Sequence, residues 1–333
     1  MFGFMRDAKL NLILLGLIII SLLVSFMAGA VALPFLEFLA FMRGDGTALA
    51  DTIFGGIRAP RIALAIISGF ALGLGGAAVQ GLLRNPLAEP GLLGASNAAA
   101  LGAVVVIYLG LVGTISFIVP LAAAAAALIS VLLLIGFAGG GVSSLRLILA
   151  GLALSTFCGA GISLALNLSP NVFAALEISF WLLGAVENRS WLHVGLALPC
   201  VIVGCALMLL SGRALDALSL GEEVAASLGL SMLRTRLRII TGMALAVGGV
   251  VAVTGVIGFI GLLAPHFVRP YSGHLPSRSL WASGLMGALL LLWGDTLIRL
   301  LPTPIELKLG VVTAFFGVPM LFYLLARKTL IVE

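Results

Sequence analysis

The sequence predicts an all-α integral membrane protein with ten transmembrane helices, short cytoplasmic helices between spans, and two halves related as an inverted repeat. Of its 333 residues, 62% are hydrophobic and only 9% are charged, whereas soluble proteins carry about 25% charged residues. Apolar runs of about 20 residues, which span a bilayer as helices, recur along the chain. The run 121–135 lacks the alternation of apolar and polar residues that marks membrane β-strands. The spans are therefore expected to be helices.

The first half of the chain is expected to contribute five spans, at about 10–33, 60–83, 92–109, 117–137 and 145–166. Arg6 and Lys9 precede the first apolar run, which has no small-residue cleavage site, so we expect this run to be retained as a helix. In the second span, Gly69 and Gly73 form a small-xxx-small pair. Such a pair lets a second helix approach closely.

A polar turn with two prolines is predicted between the second and third spans. Pro86 and Pro90 fix their own φ angles and push Asn85 and Glu89 out of the helical region, so the chain must turn back. A second turn is predicted at 264–270, in the other half of the chain. Short segments interrupted by Gly and Pro in corresponding positions of two halves are typical of inverted-repeat transporters.

Small and polar residues lie along the fifth predicted span: Ser155, Thr156, Gly159 and Ser163. Such residues can line a path across the bilayer, but they equally serve to pack helices and to bond their own backbone. The sequence leaves both interpretations open.

The second half is expected to contribute spans at about 191–210, 239–257, 258–268, 280–300 and 307–325. The segment 211–238 between the first two of these spans holds the densest charge of the protein. Two short helices are predicted within it, at 214–220 and 222–228. A charged helical segment between spans is a candidate docking surface for a soluble partner.

The distribution of basic residues orients the chain, which is expected to form a single transmembrane domain over 1–333. With both termini in the cytoplasm, 12 of the 18 Lys and Arg residues fall in cytoplasmic segments and 6 outside, as the positive-inside rule requires. The basic residues are spread singly, without the basic and aromatic patch of a nucleic-acid-binding surface. We therefore expect a multi-pass protein of the bacterial inner membrane that binds no nucleic acid.

No arrangement typical of an enzyme or a metal site is found in the sequence. The His and Cys residues lack metal-ligand spacing. Asp295 is the one acidic residue deep in an apolar run, and Arg299 follows it by four residues, which favours a structural ion pair. None of the three lysines follows glycine as in a phosphate-binding Walker sequence. If ATP drives transport, a separate subunit must hydrolyse it, and 211–238 is where that subunit is expected to dock.

Nearly the whole chain resembles the FecCD family of ABC importer permeases, which take up iron siderophores, haem and cobalamin across the bacterial inner membrane. The matching stretches, in the family's order, are Arg58–Arg61, Gln80–Gly91, Leu149–Gly151, Leu218–Glu223, Gly258–His266 and Glu306–Thr313. The family implies a homodimer of ten-helix permeases with a translocation path between them. It also implies two ABC ATPase subunits, which bind ATP and Mg, and a periplasmic or lipid-anchored substrate-binding protein; no cofactor is expected in this chain.

The resemblance assigns roles to particular residues. It places the cytoplasmic gate at Asn85, Leu87, Ser143 and Ser144. It places ATPase coupling in the two short helices, at Arg213, Asp216, Leu220, Gly221, Glu222, Glu223 and Leu228. Arg58, Arg61 and Arg299 match outward arginines that engage carboxylates of the binding protein, a pairing that suits the bidentate guanidinium. Their alternative interpretation is snorkelling at the membrane interface.

The expected cargo is an iron chelate, either a ferric siderophore or haem, with cobalamin as the alternative within the same family. An ion-coupled secondary transporter is a more remote alternative, because it would need buried ionisable residues and Asp295 alone gives little support. A membrane enzyme is weaker still, since no catalytic constellation is present.

Overall fold

The structure is a computed structural model that describes residues 2–113, 117–138, 144–301 and 306–329. Throughout these residues the regular elements are helices. Seven of the described helices are long and apolar enough to cross a membrane, and the shorter apolar helices are Ala95–Tyr108, Val172–Leu182 and Leu309–Tyr323. The all-helical prediction is confirmed, whereas the count of ten spans is not.

The first half folds into the helices α1 (Phe2–Met27), α2 (Phe35–Arg43), α3 (Ala48–Ala50), α4 (Ala59–Leu83), α5 (Ala95–Tyr108), α6 (Ile118–Ala138) and α7 (Ser144–Asn167). A π-helical turn, Asp51–Arg58, leads directly into α4, and 3₁₀ turns lie at Pro90–Leu93 and Leu111–Gly113.

The second half contains α8 (Val172–Leu182), α9 (Trp191–Leu209), α10 (Gly212–Ser219), α11 (Glu222–Ser227), α12 (Met232–Thr254), α13 (Ile260–Val268), α14 (Pro276–Leu300) and α15 (Leu309–Thr329). The two short helices predicted in the charged segment are present as α10 and α11. Helix α12 begins seven residues before the span predicted at 239–257. Those first residues carry the arginines of the charged segment, so the end of that segment is helical as well.

Helices α4, α12 and α14 form the centre of the fold, while α1, α6, α7 and α9 expose apolar faces at the periphery. The contact between α4 and α14 depends on glycine. A Cβ atom at Gly69 would lie 2.3 Å from the Gly287 carbonyl oxygen, and one at Gly73 would lie 2.2 Å from the Ser283 carbonyl oxygen. The predicted close approach at this glycine pair is confirmed.

The turn predicted at 264–270 begins later than expected, because Pro265 lies inside α13 and the chain turns only after Val268, over 269–274. Proline lacks an N–H group, so it leaves the carbonyl oxygen four residues earlier without its helical partner. That oxygen belongs to Gly261, and it accepts a hydrogen bond from Gln80 Nε2 at 3.4 Å. With only 9 residues, α13 is too short to cross a bilayer, so 258–268 is not a span by itself.

Candidate functional site

The polar turn after α4 has the predicted form and is folded largely by Asn85. Arg84 ends α4 in the left-handed conformation, with φ of 50°. The Asn85 side-chain Oδ1 accepts a hydrogen bond from the Leu87 N–H at 3.0 Å, and its carbonyl oxygen accepts one from the Ala88 N–H at 3.1 Å. This is the local turn chemistry that favours Asn. Asn85 and Leu87 are both half-buried in this turn.

Glu89 joins this turn to the break between α12 and α13. Its Oε1 accepts a hydrogen bond from the Phe259 N–H at 2.6 Å, and Phe259 is the left-handed residue that precedes α13, with φ of 67°. A carboxylate suits this place because the first N–H groups of a helix lack internal partners and carry partial positive charge. The sequence identified Glu89 only as a residue before proline, so this contact between the two halves was missed.

Helix α7 packs against the other side of the turn. A Cβ atom at Gly151 would lie 2.4 Å from the Leu92 carbonyl oxygen, and Ser155 Oγ donates to the Gly91 carbonyl oxygen at 3.0 Å. Glycine and serine are therefore required here by the approach of the turn. The next small residues have no such role: the Thr156 and Ser163 hydroxyl groups are exposed and donate to carbonyls of their own helix.

The remaining predicted gate and path residues are placed only in part. Gly159 has open space where a Cβ atom would be, on the same stretch of α7 as the exposed Thr156 and Ser163. Ser143 lies outside the described residues, and Ser144 begins α7 without a described side chain. The assignment of these residues to a path or gate stays a prediction.

Helices α10 and α11 form an exposed ledge that is fixed to the fold on one side only. Leu215 and Leu218 are buried, and Asp216 Oδ1 accepts a hydrogen bond from the Ser277 N–H at 2.8 Å, at the start of α14. Glu222 forms an ion pair with Arg236 at 3.0 Å. These contacts join the ledge to α12 and α14, so a force on the ledge would be transmitted into the central helices.

The outer side of the ledge carries apolar and charged side chains, and no element of the described part of the chain covers them. Leu220 is 67% exposed and Leu228 is 64% exposed, and Arg213 and Glu223 are also exposed. Gly221 lies between the two helices with φ of 117°, a conformation that favours glycine. Exposed leucines rimmed by charges are typical of a protein-interaction surface.

Arg61, Asp295 and Arg299 form a buried ion cluster between α4 and α14. Arg61 Nε lies 2.8 Å from Asp295 Oδ1, and Arg299 Nε lies 3.1 Å from Asp295 Oδ2, an ion-pair distance whose geometry is not that of a hydrogen bond. Arg61 also reaches Glu306 at 2.9 Å. The predicted pair between Asp295 and Arg299 is therefore present. No local pattern indicated that Arg61, far away in the chain, shares the same carboxylate.

Arg58 and Arg299 are also turned into the fold. Arg58 is 4% exposed and donates hydrogen bonds to the Phe26 and Val31 carbonyl oxygens. Arg299 donates to the Ser25 and Ala28 carbonyl oxygens and to the Ser25 hydroxyl group. The three arginines expected to face a partner thus have partners within the chain in this structure, and their docking role stays a prediction.

Two carboxyl groups beside this cluster influence each other's titration. Burial and a hydrogen bond with Glu306 raise the pKa of Glu187, although Lys308 forms an ion pair with it. Burial alone would raise the pKa of Glu306, but the hydrogen bond with Glu187 and the charge of Arg61 hold it below its ordinary value.

Comparison with known proteins gives consistent matches over most of the chain. Residues 17–327 match the model of the FecCD transport family. The chain is 41% identical over 277 residues to an Fe(3+)-citrate import system permease of Bacillus subtilis, covering 81% of this chain and 82% of that protein. It is 37% identical over 277 residues to a hemin transport system permease of Yersinia pestis, covering 82% of each.

A solved structure described as an inward-facing conformation of a metal-chelate type ABC transporter has a TM-score of 0.83 to this chain. The match has 27% sequence identity and covers 96% of this chain and 99% of that chain. The fold is therefore shared with a transporter of that type. Within the described residues, no group of His, Cys, Asp and Glu side chains is arranged to hold a metal ion.

Proposed function

Because this chain belongs to the FecCD transport family, whose members are ABC transporter permeases, we propose that it is the permease through which a binding-protein-dependent importer brings an iron chelate into the cytoplasm. As a permease it is a multi-pass membrane transport subunit rather than an enzyme. The observation that carries the proposal is the contact of the two helix breaks at Glu89 and Phe259. The exposed helix α10 packs on the end of α4 that leads into the first of these breaks, where Leu215 contacts Gly81. Broken helices connected to a solvent-exposed docking surface are the parts that ATP-driven gating needs.

An iron chelate is favoured as cargo by the names of the relatives. The Fe(3+)-citrate and hemin permeases are 41% and 37% identical to this chain, and the related structure belongs to a metal-chelate type transporter. The cargo is a substrate that passes between subunits, so it needs no resident metal ligands in this chain.

ATP hydrolysis takes place in a separate pair of ABC ATPase subunits that dock on α10 and α11. Leu220 and Leu228 supply apolar contact, and Arg213, Glu222 and Glu223 supply charge around it. Because Asp216 bonds to the start of α14, movement of the ledge on ATP binding would shift the cytoplasmic end of that helix. Both chain termini lie on the same cytoplasmic side.

The gate is the turn formed by Asn85 and Leu87, together with Ser143 and Ser144 of a second segment. A second copy of this chain completes the path, and the exposed stretch of α7 with Thr156, Gly159 and Ser163 faces it. This arrangement is supported by the direct contact between Ser155 of α7 and the turn after α4. Because of this contact, a movement of the turn would displace α7.

The binding protein docks on the outer side, around the cluster of Arg58, Arg61 and Arg299. The half-exposed Glu306, with 43% of its side chain accessible, marks where this cluster reaches the surface. For an arginine to pair with a carboxylate of the binding protein, it would exchange an internal partner for an external one. We expect Arg58→Glu to weaken association with the binding protein at low salt, and unaltered affinity of the folded variant would contradict this assignment.

Uptake in cells tests the cargo. In a strain that lacks its own iron-chelate importers, expression of this chain with its ATPase and binding protein is expected to restore uptake of radioactive iron supplied as haem or as a ferric siderophore. Labelled cobalamin serves as the comparison. Restored cobalamin uptake without iron uptake would contradict the proposed cargo and leave the permease assignment intact.

A further inference from the structure

A cavity of about 280 Å³ opens between the end of α4, the loop after α13 and the start of α14. Three basic residues line it: Arg84, Arg269 and His274. No Asp or Glu belongs to its lining, as far as the described residues extend. The lining is therefore basic, although Arg84 also borders a neighbouring cavity that is lined by Glu222 and Glu223.

Arg269 is the fixed element of this cavity. Its guanidinium Nη2 donates to Gln80 Oε1 at 2.7 Å, and Gln80, which is 3% exposed, donates through Nε2 to the Gly261 carbonyl oxygen. Both ends of the Gln80 amide are thus engaged, so the amide holds Arg269 in one orientation. Because the amide is neutral, it does not compensate the charge, and burial lowers the pKa of Arg269. A half-buried cation without a counter-ion gains from an anion.

Arg84 and His274 are held at the cavity by an unusual backbone conformation. Their φ angles are 50° and 62°, and they are two of the four non-glycine residues with positive φ in the described chain. Residues other than glycine adopt this region rarely, and such strain collects at ligand-binding positions. Two strained positions in one cavity, both with basic side chains, distinguish it from an ordinary surface depression.

We propose that this cavity binds an anion of the phosphate type. The donors are the guanidinium groups of Arg84 and Arg269, the His274 ring and the Asn85 side-chain amide, whose oxygen is already used by Leu87. The lining hydroxyl groups of Ser219 and Ser279 donate to nearby carbonyl oxygens. Arginine suits phosphate because its planar fork offers paired donors. The volume is below the range of pockets for drug-sized ligands, which favours a small anion.

An anion bound here would connect three parts of the fold. Arg84 belongs to the turn after α4, Arg269 follows α13, and Ser219 ends α10. Binding would therefore stiffen the junction between the broken helices and the ledge of α10 and α11. The phosphate group could come from an anionic phospholipid headgroup or from free phosphate, and the experiment distinguishes these sources.

The test uses the full-length chain, in complex with its ATPase, with inorganic phosphate and phosphatidylglycerol as probes. In delipidated detergent solution, the midpoint of thermal unfolding is measured against phosphate concentration at constant ionic strength. In nanodiscs of phosphatidylcholine with or without phosphatidylglycerol, lipid retained after extraction is measured by native mass spectrometry. A rise in midpoint with phosphate identifies free phosphate as a ligand, and selective retention of phosphatidylglycerol identifies the headgroup.

Two variants and one control make the test specific. Arg269→Gln and Arg84→Asn each remove one charge, and Asn tolerates the left-handed backbone at position 84, so at least one variant should fold. Each is expected to weaken anion binding about tenfold or more, since hydrogen bonds to charged groups are strong. The control Arg146→Gln removes an exposed charge away from the lining. Failure of both probes to bind, or equal weakening in the control, would overturn the proposal.

Discussion

Replacement of Gly76 by alanine should separate α4 from α13 and destabilise the protein. A Cβ atom at Gly76 would lie 1.8 Å from the Gly261 carbonyl oxygen, whereas ordinary contact begins at 3.4 Å. The backbones would have to move apart by the difference, about 1.6 Å. This shift would break the bond from Gln80 to Gly261 and disturb the break at Phe259. Overpacking costs about 1–3 kcal/mol, and we expect a value near the upper end because both contacting groups are backbone.

The matched control is Gly16→Ala in α1, where a Cβ atom would meet nothing within 4 Å. Thermal unfolding of both purified variants, followed by intrinsic fluorescence, measures the effect. A loss of about 3 kcal/mol should lower the midpoint by about 6–12 °C, taking the shift of about 2–4 °C per kcal/mol that holds for larger domains. The Gly16→Ala midpoint should stay equal or rise slightly, because alanine favours helix. If Gly76→Ala also unfolds within a degree of the wild-type protein, the helix contact described here is wrong.

Three further predictions concern the site. Asp295→Asn leaves two buried arginines without their shared carboxylate, so it should destabilise the chain by about 3 kcal/mol, and an unchanged thermal midpoint would refute the buried cluster. Glu223→Lys should weaken co-purification of the ATPase at low salt while leaving the thermal midpoint of the chain unchanged; equal recovery of the ATPase would exclude this residue from the docking surface. Asn85→Ala combined with Leu87→Ala should let ATP hydrolysis continue with less uptake, and intact coupling between the two rates would contradict the gate.

The all-helical membrane fold could be predicted from the sequence because its signals are local. The apolar runs indicated helices, the two prolines indicated the turn after α4, and the glycine pair indicated a close helix contact, and each of these is present. The count of ten spans is not confirmed. Helices α10 and α11 were also predicted close to their true bounds, because Gly221 interrupts the amphipathic pattern between them.

Contacts between distant segments could not be predicted in this way. A turn was predicted at 264–270, but Pro265 lies inside α13, where Gln80 donates to the Gly261 carbonyl oxygen the hydrogen bond that proline cannot. Arg61 was expected to face outward, yet it pairs with Asp295 from the other half of the chain. In both cases the local structure depends on a partner about two hundred residues away in the chain, and a local sequence pattern contains no information about such a partner.

The most direct test of the transport function is reconstitution of this chain with its ATPase in proteoliposomes, with the cognate binding protein and labelled haem or ferric siderophore outside. ATP hydrolysis and cargo entry are measured in the same vesicles, and an ATPase with its Walker lysine replaced serves as the control. The account predicts cargo entry that requires ATP, the binding protein and the intact ATPase together. Cargo entry that continues with the disabled ATPase, or that follows an ion gradient instead of ATP, would contradict it.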